Sequence, residues 1–120
     1  MRRKFLSLFM ALVMFTVFVP CIAMAEITES GECGDNLIWT LDDDGVLTIS
    51  GTGDMGNYYY HQYAPWYSNR SYIKSVIIED GVTSIGEYAF YYCENMKSVT
   101  IPSSITYIGH SAFYGCTDLR

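Results

Sequence analysis

The sequence predicts a β-rich solenoid in which short strands and short helical turns wind into stacked coils behind an N-terminal β-hairpin cap. Three observations carry this. Residues 75–97, SVIIEDGVTSIGEYAFYYCENMK, are followed by residues 98–120, SVTIPSSITYIGHSAFYGCTDLR, with ten of 23 positions identical, and a repeat of this period is the signature of a stacked array. Each unit opens on an L-x-x-L-x-L pattern, Ile73-x-x-Val76-x-Ile78 and then Met96-x-x-Val99-x-Ile101. Ahead of them, NLIWTLDDDGVLTIS alternates apolar and polar residues on both sides of an Asp-Gly dipeptide, a strong hairpin signal.

The chain opens MRRK, continues through the apolar block FLSLFMALVMFTVFV to Pro20, and reaches Ala-Met-Ala just before Glu26. A charged start, an apolar stretch and a small-x-small site, in that order, are the parts of a secretory signal peptide, with cleavage expected after Ala25. Pro20 and the cleavage site favour this over a membrane anchor. Export removes Arg2, Arg3 and Lys4 and leaves four basic residues against all 13 acids, a formal charge of −9. Such a surface repels phosphate backbones and anionic lipid, so no nucleic-acid partner and no membrane insertion of the mature chain is expected.

In the hairpin, Leu37, Trp39 and Leu41 alternate with Ile38 and Thr40, Asp44-Gly45 supplies the turn, and Leu47 and Ile49 return. Its position makes it a lid on the first coil. The linker NYYYHQYAPWYSN holds five of the eleven tyrosines and Trp66. Such a cluster is either a contact surface for sugar or protein, or packing of the cap onto the first coil; the need to cover that coil favours packing. The expected division is therefore a signal peptide at 1–25, hairpin cap and aromatic linker at 26–72, and two repeats at 73–120.

Within each repeat a strand leads to a turn (Asp80-Gly81; Pro102-Ser103-Ser104) and a second extended piece, Val82–Ile85 and Ile105–Ile108. Gly86 and Gly109 follow, where the chain bends and a Cβ would obstruct. The Ala-Phe pair comes next in an expected short helical turn, Ala89 and Ala112 allowing close approach and Phe90 and Phe113 filling the interior. A single coil buries too little apolar surface to offset the entropy of ordering it, so coils must stack on each other and on a cap. Leu119 begins another such pattern with no polar closing segment after it, so further repeats are expected C-terminally.

Other constellations are explained more simply. GTGDMG, Gly51 to Gly56, spells the dinucleotide-binding glycine pattern, but no amphipathic helix follows to receive a pyrophosphate. The carboxylates of DDDG lack the spacing of a calcium loop and suit a solvated hairpin tip. His61 and His110 are the only histidines, and neither belongs to a nucleophile, zinc or Cys/His order. Asn69-Arg70-Ser71 matches the glycosylation pattern by chance. Cys33, Cys93 and Cys116 are an odd set with no zinc spacing, and equivalent positions in stacked coils point in parallel, so buried free thiols are expected. No cofactor, metal or catalytic group is expected.

CGDNLIWTLDDDGVLTISGTGDM, APWY and GVTSIGEYAFYYCENMKSVTIPSSITYIGHSAFYGC together resemble the BspA-type leucine-rich repeat proteins of bacterial surfaces, including the N-terminal module that often precedes their repeats. The motif strand–IP–IG–AF–C is present in both units, with Glu79 in place of the usual proline in the first. The resemblance implies a right-handed leucine-rich repeat solenoid, secreted or attached to the cell wall, with adhesive or protein-binding roles in some members. The expected function is thus a binding scaffold for an extracellular protein or cell-surface ligand. Strand alternation nominates the outward residues Ser75, Ile77, Glu79, Ser98 and Thr100 as the contact face, Ile77 being apolar where its counterpart is Thr100. The alternatives are the substrate-presenting front part of a larger extracellular enzyme, and a purely structural spacer.

Overall fold

Asp42 explains how the hairpin turns. In the computed structural model, which describes residues 25–120, its Oδ1 accepts from the backbone N–H groups of Asp44 at 2.9 Å and Val46 at 3.0 Å. Gly45 completes the three-residue loop with a φ of 80°, the left-handed residue such loops require. The loop joins β2 (Leu37–Asp42) to β3 (Val46–Gly51) in antiparallel register, Trp39 opposite Ile49 and Leu41 opposite Leu47. A further strand, β1 (Ile27–Gly34), pairs antiparallel with β2. The expected signal segment lies outside the described residues up to position 24.

Beyond the hairpin the pairing changes direction. β3 pairs in parallel with β5 (Ser75–Ile78), and β5 with β7 (Ser98–Thr100), giving a first sheet in the order β1-β2-β3-β5-β7. A second sheet runs β4-β6-β8, from Gly53–Asp54, Val82–Ile85 and Tyr107–Ile108, again parallel. Ser75 sits opposite Ser98 and Ile85 opposite Ile108, so the ladder register equals the 23-residue sequence period. The architecture is strand-rich, and a 3-10 turn at Tyr67–Asn69 is the helical element among the described residues.

The Ala-Phe segment forms successive i→i+3 turns, with Ala89 N–H donating to Gly86, Tyr91 to Tyr88 and Cys93 to Phe90. Left-handed φ values at Tyr88 (59°) and Tyr92 (56°) keep these turns from merging into a helical run, since a right-handed helix needs consecutive negative φ. Backbone groups here pair between units instead: Tyr88, Phe90 and Tyr92 N–H donate to the carbonyls of His110, Ala112 and Tyr114. This is a third line of hydrogen bonds along the stack.

The interior is built from alternate strand residues. Leu37, Trp39, Leu41, Leu47, Ile49, Val76, Ile78, Val82 and Ile85 are all buried. Through them runs an aromatic spine in which the Phe90 ring stacks on Phe113 at 5.5 Å between centroids and 17° between planes. On its other side Phe90 stacks on Trp66, at 5.6 Å and 19°. The Trp66 indole N–H also donates to the Ala89 carbonyl at 2.8 Å, so this ring serves both packing and polar pairing. Trp66 therefore continues the series of Phe90 and Phe113. The second unit is less covered than the first: Ile78 is 1% exposed and its counterpart Ile101 42%.

Gly86 and Gly109 mark where units touch backbone to backbone. A Cβ on Gly86 would stand 1.8 Å from the Gly56 carbonyl oxygen, and one on Gly109 2.5 Å from the Glu87 nitrogen.

Candidate functional site

Cross-strand pairing turns the nominated residues into parts of rows. Ser75 lies opposite Ser98, and Ile77 opposite Thr100. On the other flank Ile77 faces Thr48, Thr48 faces Thr40, and Thr40 faces Ser30. One row of outward side chains, Ser30–Thr40–Thr48–Ile77–Thr100, thus crosses all five strands of the first sheet. A neighbouring row brings together Glu32, Ile38 and Ser50. Glu79 is exposed just past the end of β5, held there by its N–H to the Ile49 carbonyl at 2.9 Å.

The face is therefore a hydroxyl-rich surface carrying two exposed branched apolar side chains, Ile38 at 51% and Ile77 at 39%. Ser98 and Thr100 are exposed, and Ser75 is half-buried between Val46 and Ser98. Such a surface has apolar anchors to offer a partner, with the carboxylates of Glu32 and Glu79 beside them.

Ile38, Thr40 and Thr48 were not among the sequence-nominated residues. Their outward alternation is readable, since Leu37, Trp39 and Leu41 are the inward set. The parallel pairing of β3 with β5, which merges hairpin and repeats into one sheet, has no local signature.

The other groups singled out in the sequence lie away from this face. Asp42, Asp43 and Asp44 cluster at the hairpin tip, where Asp42 is engaged by the turn and Asp43 Oδ1 accepts from Glu26 N–H at 3.1 Å. The GTGDMG stretch supplies the end of β3, all of β4 and the buried Met55. His61 and His110 are both exposed and pack against Tyr60 and Tyr88 respectively. Cys33, Cys93 and Cys116 are free thiols. Burial pushes the Cys33 and Cys93 thiols up to about 12, and Cys116, whose Sγ donates to the Phe90 carbonyl at 3.1 Å, is raised by the same cause. Burial in apolar surroundings disfavours the thiolate and suits these side chains to packing.

Residues 63–120 match a family profile described as BspA type leucine rich repeat region (6 copies). Those residues belong to the BspA-type leucine-rich repeat family. A leucine-rich repeat protein from Eubacterium ventriosum, known as a crystal structure, is 41% identical and superimposes with a TM-score of 0.70 over 78% of this chain. The chain spans 24% of that protein's length. A leucine rich cell surface protein from Faecalibacterium prausnitzii is 24% identical, with a TM-score of 0.48 over 84% of this chain and 30% of its own. No curated protein matches the chain. The BspA-type match begins at Tyr63, inside the aromatic linker, and so takes in Trp66 along with the two sequence repeats.

Proposed function

We propose that this chain is an exported, non-catalytic repeat scaffold that binds an extracellular protein or cell-surface ligand through the outward face of its first sheet. In this reading residues 1–25 are removed as a signal peptide, residues 26–72 cap the stack and supply the aromatic linker, and residues 73–120 are two coils of a right-handed solenoid. Further coils continue the array over the exposed side chains of Ile101 and Ile108.

The observation that carries the reading is the five-strand row centred on Ile77. Apolar side chains spaced among small hydroxyl residues on a mixed sheet suit a protein partner, because each can be desolvated at an interface without burying a charge. Ser75, Glu79, Ser98 and Thr100 frame the anchor, and Ile38 extends it towards the hairpin. The net negative charge keeps anionic polymers away.

Ile77→Asp tests this. The side chain is on the surface, so the unfolding midpoint should stay within the range of ordinary surface substitutions, about 0.5 kcal/mol. Binding to whole cells or to a panel of extracellular-matrix proteins should fall at least tenfold, the scale of losing an interface anchor (about 1.4 kcal/mol or more). Unchanged binding by a folded variant would remove this face as the contact surface.

A further inference from the structure

The first sheet ends on β1, and among the described residues no strand pairs with its outer side. In an antiparallel pair alternate residues turn both N–H and C=O away from their partner, so β1 carries a row of open backbone groups. Its two ends are tied down. The Glu26 carbonyl accepts from Asp43 N–H at 2.9 Å and the Cys33 carbonyl from Gly56 N–H at 2.8 Å. Between them, Glu29 to Glu32 pairs without interruption opposite Leu41 to Ile38. This stretch is a regular template for one more strand.

Charge along this edge is one-sided. Residues 25–69 hold eight of the 13 acids and no lysine or arginine. Glu26, Glu29, Glu32 and Asp35 recur every third residue along β1 and just beyond its ends, and all four are exposed. Arg70, the next cation in the chain, is turned to the Tyr67 ring, 4.0 Å from its centre. Two such edges repel each other, which guards against self-pairing. A strand rich in lysine or arginine is instead drawn in.

Beneath the same edge lie polar groups with nothing to bond. Among the described residues two buried side-chain atoms have no hydrogen-bond partner, the Trp39 indole nitrogen and the Asn69 carboxamide oxygen. Trp39, only 4% exposed, lies opposite Gly31, and its Nε1 stands 2.9 Å from where a Gly31 Cβ would be. The Asn69 Nδ2 donates to Glu29 Oε2 at 3.3 Å. Glu29 and Gly31, two residues apart, share one face of β1. A donor lacking an acceptor and an acceptor lacking a donor thus meet the edge strand on one side. A strand laid along β1 sets its alternate side chains on that side, where hydroxyl groups offer both functions.

We propose that the open edge of β1 is a second binding site, apart from the sheet face and not dependent on it, which takes an extended basic segment of a partner protein as an added strand. Nitrogen-15 spectra of the full chain, titrated with a capped peptide alternating lysine and threonine, test it. The amides of Glu29 to Glu32 and the Trp39 indole N–H should shift and gain protection from solvent exchange. Glu29→Gln combined with Glu32→Gln, which keeps an acceptor for Asn69, should weaken binding about tenfold or more. Methylating the peptide's backbone nitrogens, which keeps its charge and removes its donors, should do the same. Ile77→Asp should leave binding unchanged. No binding, equal binding of the methylated peptide, or shifts confined to the hairpin tip would overturn the proposal. Broadening of the β1 amides with protein concentration alone would assign the edge to a second copy of the chain, and would overturn it too.

Discussion

Phe90→Ala should lower stability by about 3–5 kcal/mol, the cost of emptying a fully buried aromatic site. Its ring is stacked on both faces, by Trp66 and by Phe113, so the substitution removes two aromatic pairs as well as buried area. Domains of this size are stable by about 5–15 kcal/mol in total. In urea the unfolding midpoint should therefore fall by roughly a fifth or more, or the cooperative transition should vanish. Phe113→Ala, made at the half-buried end of the spine, should cost clearly less. Equal losses at the two positions would mean that Phe90 is not the central rung.

The second large effect belongs to a residue with no side chain. Gly86→Ala places a Cβ 1.8 Å from the Gly56 carbonyl oxygen and 2.9 Å from its carbon. These are backbone atoms next to the β4–β6 ladder, which pairs Gly53 with Val82, so no flexible side chain can swing aside. Overpacking typically costs about 1–3 kcal/mol where neighbours can adjust. Here two units must separate, and the loss should reach or exceed the top of that range. Chemical denaturation measures it, and faster proteolysis of the native state should accompany it. A variant as stable as the parent would mean that the units approach less closely than these distances state.

Both effects follow from features readable in the sequence to different degrees. The 23-residue period foretold the parallel register because, in a parallel ladder between successive units, sequence offset and strand pairing are the same quantity. Alternation likewise put Val76, Ile78, Leu37 and Leu41 inside and Ile77 outside. The equivalence of Phe90 and Phe113 followed from their identical surroundings. Trp66 was harder to place in that series, since the projecting turn around His61 breaks the spacing and the ring type differs.

β1 had no signal to read. Only Cys33 among its residues is buried, so the segment lacks the alternation that marks a half-buried strand. The β4 segment looked like a glycine-rich phosphate loop because it is a compressed version of the β6 segment, with a register shift between Gly53 and Asp54. The expected helical turn became separate turns through the backbone angles of Tyr88 and Tyr92, which residue type does not announce: tyrosine is an unusual occupant of left-handed φ. For the sheet face, Ser75, Ile77, Glu79, Ser98 and Thr100 came from alternation alone. Their union with Ile38, Thr40 and Thr48 needed the tertiary pairing of hairpin and repeat.

The stacked aromatic spine is the feature that joins the cap to the two repeats and underlies the close glycine contacts and the sheet face. Ring-to-ring nuclear Overhauser contacts in protein carrying labelled phenylalanine and tryptophan measure it most directly. The Phe90 ring should show strong contacts to Trp66 and to Phe113, with none between Trp66 and Phe113, as expected for a central rung. Assigned spectra in which Phe90 touches neither ring, or in which Trp66 contacts Phe113 directly, would contradict the account.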